Sequence, residues 1–396
     1  MTVAIPRLPL ELHDCILDCL VDDRRALATC SLVCRAWLPT ARSHLFHAVT
    51  LSGSAQGSRF QELVQQSPYI GRYVRKLALV KPWNECGRPS HLELPQILTH
   101  LDSVEDLSVE RWSDAGLCEA LKEHYANTVT MRLTSVEYKE RDMQTIICAC
   151  PKLQALYLSG VTICPDGLSA HLQPVVPARP ITLKTLYWKT PPTAFADWLI
   201  HGPLELRLSK LGLATKAQDP VSTGYVQSLL EAAGTHLESL VLSVWQGFHA
   251  SLSPGLLAHN PNLTSLHITN VAPHPSLSHP WAGLRTALSD VQPVHRRLSH
   301  ISVTILPIDH LCVALADWEQ IDVELERIAR ERPWLAVTFC VVNIAHSPVE
   351  WMPQVVDTVV HCLPLFLAAK GRLSLMWFNG WDEYTAYGGE ELAPWF

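Results

Sequence analysis

The sequence predicts an α/β fold in which a small N-terminal helical domain is followed by an irregular solenoid with one parallel sheet. Apolar residues recur at helical spacing near the N-terminus, and an apolar-x-x-apolar-x-apolar pattern recurs from residue 74 to residue 378. A helical pattern precedes most copies of this motif. Because 48% of the 396 residues are hydrophobic, the chain has enough apolar material for a large core.

The N-terminal domain is predicted to contain short helices with more apolar surface than so small a unit can bury on itself. Residues 11–21 form a helix with an apolar stripe that consists of Leu12, Ile16, Leu17 and Leu20. Asp22 and Asp23 can cap a second helix over 24–29. Ser31 can cap a third helix, which Pro39 is expected to break or kink. The surplus apolar side chains must face either the rest of the chain or another protein.

Residues 8–51 resemble the F-box, in the form found in fungal proteins. The resemblance is carried by the opening Leu8-Pro9, by the segment Leu27–Trp37 and by the closing Leu45-Phe46, which a strand-like segment follows. It implies a docking surface for the Skp-family adaptor of cullin–RING ubiquitin ligases. The residues that the resemblance places against the adaptor are Leu8, Pro9, Leu12, Ile16, Leu17, Leu27, Val33, Cys34 and Trp37. Alternatively, these residues are the core of a helical cap on the next domain.

A Ser-, Gly- and Gln-rich stretch marks the boundary, so the predicted domains are 1–51, a loop-like linker at 52–59, repeats over 60–380 and a C-terminal tail or cap over 381–396. The clear strand copies are Val74-Leu77-Leu79, Val104-Leu107-Val109, Leu153-Leu156-Leu158, Leu183-Leu186-Trp188, Leu237-Leu240-Leu242, Leu263-Leu266-Ile268 and Leu298-Ile301-Val303. Looser copies are Thr128-Met131-Leu133, Pro203-Leu206-Leu208, Trp334-Val337-Phe339 and Leu373-Met376-Phe378. This alternation resembles the irregular leucine-rich repeats that often follow an F-box.

The repeat pattern also predicts which side chains bind a protein client. Side chains alternate between the two faces of a strand, so the middle residue of apolar-x-apolar points away from the core. Tyr157, Tyr187 and Arg207 occupy such positions on neighbouring strands, with Arg132 and His267 on others. Tyr and Arg are enriched at binding hot spots, although exposed Tyr and Arg are also ordinary on any sheet.

Charge and composition disfavour several other classes of function. A net charge of -7 and a pI near 6.2 give no electrostatic reason to bind nucleic acid. No signal peptide is evident, and the most apolar run, 355–369, is too short to span a bilayer, so a cytoplasmic or nuclear protein without a membrane partner is expected. In a reducing compartment the 12 cysteines are expected to be small buried hydrophobes.

Neither a metal nor a cofactor is expected. Cys15, Cys19, Cys30 and Cys34 form two C-x-x-x-C pairs, but zinc would then require two facing helices. The 19 histidines are scattered, and no phosphate loop, nucleophile elbow or H-E-x-x-H motif occurs. The predicted function is therefore the substrate-recognition subunit of an SCF-type ubiquitin ligase, which is not itself an enzyme. The alternatives are a leucine-rich-repeat scaffold unrelated to ubiquitin ligases and an unrecognised Cys/His enzyme.

Overall fold

The computed structural model describes residues 9–82, 94–112, 115–164, 175–189, 193–214, 220–243, 255–271, 281–306, 313, 317–343, 351–380 and 383–384. The chain divides into two compact units. The first comprises Met1–Leu153 and Thr162–Ile181, and the second comprises Gln154–Val161 and Thr182–Phe396. None of the described helices is long and apolar enough to cross a membrane.

The first unit begins with three helices and continues with alternating strands and helices. Its helices are α1 (Leu10–Asp18), α2 (Arg24–Val33), α3 (Leu38–His47), α4 (Gly53–Gln66), α5 (Leu94–Leu98), α6 (Ala115–His124) and α7 (Glu140–Cys148), with a 3₁₀ turn at Pro68–Tyr73. Its strands are β1 (Ala48–Ser52), β2 (Lys76–Val80), β3 (Asp106–Glu110), β4 (Thr130–Thr134), β5 (Glu137–Lys139) and β7 (Thr162–Cys164). Strands β1 to β4 pair in parallel in that order, and β5 pairs in parallel with β7.

The three N-terminal helices enclose a small core of Leu17, Leu27 and Ala41. The carboxylate of Asp23 accepts hydrogen bonds from the backbone N–H groups of Arg25 and Ala26, so the predicted cap of α2 is confirmed. The prediction that Ser31 starts a third helix is wrong, because Ser31 lies inside α2 and donates to the Ala28 carbonyl oxygen at 2.7 Å. Pro39 does not break a helix but lies in the first turn of α3, where its missing N–H costs nothing.

The stretch predicted as a loop-like linker is helical. Helix α4 begins at Gly53, and the backbone N–H of Ser52 donates to the side-chain oxygen of Gln56 at 3.1 Å. Gly53, Gly57, Phe60 and Val64 are all buried at spacings of one helix face. The glycines therefore supply a smooth packing surface here, and the apolar residues that follow outweigh their low helix propensity.

The second unit repeats the same alternation. Its strands are β6 (Ala155–Ser159), β8 (Thr182–Lys189), β9 (Glu205–Ala214), β10 (Ser239–Ser243), β11 (Ser265–Val271), β12 (His300–Ile305), β13 (Ala336–Val342) and β14 (Arg372–Phe378). Its helices are α8 (Thr193–His201), α9 (Pro220–Ala233), α10 (Ala282–Ser289), α11 (Trp318–Glu331), α12 (Trp351–His361) and α13 (Pro364–Ala368), with a 3₁₀ turn at Gly234–His236. The strands pair in parallel in the order given.

The apolar ladder predicted from the sequence forms the helix-facing core. Equivalent positions pair across neighbouring strands, for example Leu156 with Leu186 and Leu240 with Leu266, and these four side chains are fully buried.

Turns are secured by buried amides and carboxylates. Asn260 donates to the carbonyl oxygens of Leu230 and Gly234 at 2.9 and 3.0 Å.

Two of the looser copies, at 203 and 373, have the wrong register. The copy at 334 has the predicted register at Val337 and Phe339 and is wrong only at its first residue. The pairing between β8 and β9 shifts after Leu183, and Tyr187 therefore pairs with Gly212. The buried ladder leucines of β9 are Leu208, Leu211 and Leu213, whereas the predicted copy was Pro203-Leu206-Leu208. In the copy at 334, Leu335 is buried and Trp334 is exposed. In the copy at 373, Phe339 pairs with Leu375, so Met376 and Phe378 lie on the face opposite to the predicted one.

Candidate functional site

Two of the described N-terminal helices, α1 and α2, expose large apolar side chains. Leu12, Cys15, Ile16 and Cys19 follow one another at helical spacing and form one continuous stripe, which we call the α1 stripe. Leu12 and Ile16 are 48% and 43% exposed, and the two cysteines are exposed as well. At the end of α2, Leu32 is 86% exposed and Val33 is 62% exposed. Large apolar side chains at this exposure indicate an interaction surface.

The predicted adaptor-facing residues divide into an exposed set and a buried set. Pro9, Leu12, Ile16, Val33 and Cys34 are exposed, as the prediction requires. The assignment of Leu17 and Leu27 is wrong, because both are fully buried and form the core of the helices, against which the half-buried Trp37 packs. Leu17 lies about 100° around α1 from Ile16, so one helix presents both an inner and an outer apolar face. Leu8 lies outside the described residues.

The cysteines also divide by position, contrary to the expectation that they are all buried. Cys15, Cys19 and Cys34 are exposed, whereas Cys150 and Cys340 are buried. Burial raises the pKa of the Cys150 thiol to about 12 and that of Cys340 to about 11, so both stay protonated and unreactive at neutral pH. Within the described ranges, no three His, Cys, Asp or Glu side chains are grouped to hold a metal ion.

The prediction that Tyr157 and Tyr187 are exposed is wrong. Their positions pair directly across β6 and β8, and their rings stack with centroids 5.0 Å apart and planes at 13°. Both side chains are buried. Both point away from the ladder leucines as predicted, but this second face of the sheet is itself covered.

The covered face contains a cluster that we call the second core. Its buried members are Tyr157, Tyr187, Ala214, Val241, Leu306, Cys340, Val342, Phe378 and Tyr384. They come from the middle and end of several strands and, in the case of Tyr384, from beyond the last strand of the unit. The outer face of the second unit's sheet is therefore a packed surface over this region.

Tyr384 is held by polar contacts to Thr304 and His267. The Tyr384 hydroxyl is hydrogen-bonded to the Thr304 hydroxyl and lies 3.2 Å from Nε2 of His267, within hydrogen-bonding distance. His267 Nε2 also lies 2.8 Å from the Thr304 hydroxyl. Burial, with a smaller contribution from His300, lowers the pKa of His267 to about 3, so its imidazole is neutral at physiological pH. His267 is thus a half-buried partner of Tyr384 rather than an exposed client contact.

The two arginines of the predicted client set occupy different environments. Arg207 is exposed but lies where the register between β8 and β9 shifts, and its guanidinium pairs with Glu205 at 2.7 Å. Arg132 is partly buried, pairs with Asp106 on the next strand, and is in register with Ser108 and Ala78. These three middle positions of the first unit are half-buried, so its outer sheet face is more open than that of the second unit.

Comparisons with family models, curated proteins and solved structures do not assign the chain to a family. No protein-family model matches the chain, and no curated protein matches it. Among solved structures, the leucine-rich repeat-containing protein LegL7 from Legionella pneumophila is similar, with 14% identity, a TM-score of 0.38, and coverage of 79% of this chain and 98% of that one. The strand ladders described above define the class: a mixed α/β protein built from repeated helix–strand units with parallel sheets.

Two features of these surfaces were not predicted from the sequence. Leu32 has the most exposed large apolar side chain of those described, yet the sequence pointed to its neighbours Val33 and Cys34 as the adaptor-facing residues. Tyr384 lies in an acidic and aromatic C-terminal stretch for which the sequence predicts only a tail or cap. Tyr384 packs edge-to-face on Phe378 with ring centroids 5.2 Å apart.

Proposed function

We propose that this chain is the substrate-recognition subunit of an SCF-type cullin–RING ubiquitin ligase. The observation that carries the proposal is the α1 stripe, together with Leu32 and Val33 at the end of α2. These side chains extend from helices whose own core is already filled by Leu17, Leu27 and Ala41. A surface of this kind fits a docking site for a Skp-family adaptor, which the F-box resemblance of the same residues suggests.

The energetics support docking rather than a simple helical cap. Covering one large apolar side chain contributes about 1.5–3 kcal/mol relative to leaving it in water, so a few such residues account for micromolar or tighter binding. A terminal cap of a repeat protein needs a polar outer face to remain soluble. The outer face of α1 is apolar instead, which favours the ligase subunit over a scaffold that never meets an adaptor.

The repeats would hold the protein client, and the chain would act by proximity. A client bound to the repeats would have a high effective concentration near a conjugating enzyme carried by the adaptor and cullin, so no catalytic residue of this chain is needed. The half-open face of the first unit, with Ala78, Ser108 and Arg132 in register, is a suitable client surface. This role places the protein in the cytoplasm or the nucleus, without a nucleic-acid or membrane partner.

Co-expression with a Skp-family adaptor tests the proposal. We expect the two proteins to elute together from a size-exclusion column as one complex, because the α1 stripe is covered only in the complex. We also expect the chain expressed alone to be less soluble than the complex. Separate elution of two soluble, folded proteins would contradict the docking role and favour the scaffold alternative.

A further inference from the structure

The stretch from Arg24 to Asn84 is strongly basic, although the protein as a whole is acidic. It contains nine arginines and lysines but only one carboxylate, that of Glu62, whereas the whole chain has a net charge of -7. Such a local excess of positive charge attracts anions. A negative charge added within this stretch would therefore be stabilised by its surroundings.

Tyr69 lies in this basic stretch and is the only exposed tyrosine among those that the structure describes. It is 43% exposed and belongs to the 3₁₀ turn Pro68–Tyr73, which joins α4 to β2. Its hydroxyl accepts a hydrogen bond from Nη1 of Arg42 at 2.6 Å. The guanidinium carbon of Arg42 also lies 5.2 Å from the centroid of the tyrosine ring. A phenolic oxygen at the surface is thus already in contact with a cation.

Two arginines border the Tyr69 hydroxyl. Arg42 is a half-buried residue of α3, and within the described part of the chain it pairs with no carboxylate. Arg72 is exposed and lies three residues after Tyr69 in the same 3₁₀ turn, where side chains at i and i+3 share a face. It too forms no ion pair with a described carboxylate. Both guanidinium groups can therefore bind an added anion, and their planar donor geometry suits a phosphate in particular.

We propose that Tyr69 is a phosphorylation site and that Arg42 and Arg72 hold its phosphate. A protein tyrosine kinase would transfer the γ-phosphoryl group of ATP to the Tyr69 oxygen. The phenolic O–H bond breaks, an O–P bond forms, ADP leaves and the proton is released to water. Because Nη1 of Arg42 is already within hydrogen-bonding distance of this oxygen, the attached phosphate oxygens lie within reach of the same guanidinium, which can bind them with two parallel N–H donors.

The phosphate would strengthen the junction between the N-terminal helices and the repeats. Arg42 belongs to α3, the last of those three helices, and Tyr69 belongs to the turn that leads into β2. A bidentate arginine–phosphate pair adds a second bond and an opposite charge to the single hydrogen bond of the unmodified tyrosine. The inference does not depend on the proposed function, since it needs neither the adaptor nor a client.

The full chain with phosphotyrosine incorporated at position 69 during translation tests whether the two arginines hold the phosphate. We expect the pKa of this phosphate, followed by ³¹P NMR, to lie below that of a phosphopeptide with the sequence of residues 66–71, because the guanidinium groups favour the dianion. The melting temperature should be higher than that of the unmodified chain. Arg42→Gln should return the pKa towards the peptide value and remove the rise in melting temperature. Arg59→Gln, at an exposed arginine of α4, is the matched control and should change neither.

A second variant separates phosphate binding from folding. Arg72 is exposed, so Arg72→Gln should fold as the wild-type chain does and should reverse part of the pKa shift of the phosphate. A phosphate pKa equal to that of the peptide, or a phosphate that lowers the melting temperature, would show that Tyr69 and Arg42 form an ordinary surface pair and would overturn the proposal.

Mass spectrometry of the chain purified from its own cells with phosphatase inhibitors tests whether the site is used. We expect a fraction of the chain to carry phosphate at Tyr69, and Tyr73, which is half-buried in the same turn, to carry none. Absence of phosphate at Tyr69 would overturn the assignment as a modification site. Because neither measurement involves the adaptor, this proposal and the docking proposal can fail separately.

Discussion

Ile16→Asp should abolish co-elution with a Skp-family adaptor while the chain remains folded. Ile16 is 43% exposed on the α1 stripe and lies outside the core of the N-terminal helices. The substitution removes about 1.5–3 kcal/mol of apolar burial from the docked state and forces a carboxylate against an apolar partner. We therefore expect the dissociation constant, measured by titration calorimetry, to rise well over tenfold. The melting temperature should change little, as at other exposed positions.

Val323→Asp is the matched control for this experiment. Val323 is also 43% exposed, but it lies on helix α11 of the second unit. The same new charge at the same exposure should leave adaptor affinity at the wild-type value. If both substitutions weaken the complex equally, or if Ile16→Asp weakens it only in proportion to a loss of folded protein, the docking surface is not the α1 stripe.

Asp322→Ala should strongly destabilise the second unit. Asp322 is buried on α11, and its two carboxylate oxygens accept hydrogen bonds from the backbone N–H groups of Leu365 and Phe366 at 2.9 and 2.8 Å. These N–H groups open helix α13, where an anionic side chain is also favoured by the helix dipole. Each donor left without an acceptor costs about 1–3 kcal/mol, so the free energy of unfolding should fall by about 2–6 kcal/mol.

Urea denaturation followed by circular dichroism measures this loss as a lower midpoint. Asp357→Ala, at an exposed carboxylate on the neighbouring helix α12, is the control and should shift the free energy of unfolding by less than about 0.5 kcal/mol. Equal midpoints for the two variants would mean that Asp322 does not anchor α13. The affinity for the adaptor should be unchanged in Asp322→Ala as long as the first unit remains folded.

The strands were predictable because burial on one face leaves a strict period of two in the sequence. The clear copies of the ladder, such as Leu240 and Leu242, are buried as predicted. The error at β9 has a physical cause that the sequence contains: leucines continue at 206, 208, 211 and 213, so the alternation slips by one residue at Ser209-Lys210. The irregular pairing between Leu183 and Thr185, which leaves two extra residues in β9, accommodates this slip, whereas a search with a fixed template does not.

The exposure of the outer faces could not be predicted in the same way. The alternation places Tyr157 and Tyr187 away from the helices, but it contains no information about what covers that face. Their burial depends on a cluster that includes Phe378 and Tyr384, which are more than 190 residues further along the chain. For the same reason, the inner position of Leu17 and the outer position of Ile16 depend on how three short helices pack, which their individual patterns do not specify.

Thiol footprinting of Cys15 and Cys34 tests the docking claim most directly, because both cysteines are exposed on the proposed adaptor surface. The rates of their alkylation by iodoacetamide would be compared by mass spectrometry with and without saturating adaptor, with Cys362 in the second unit as the internal reference. We predict that the adaptor slows alkylation of Cys15 and Cys34 at least tenfold and leaves the rate at Cys362 unchanged. Unchanged rates at Cys15 and Cys34 in a complex that co-elutes would contradict docking through these helices.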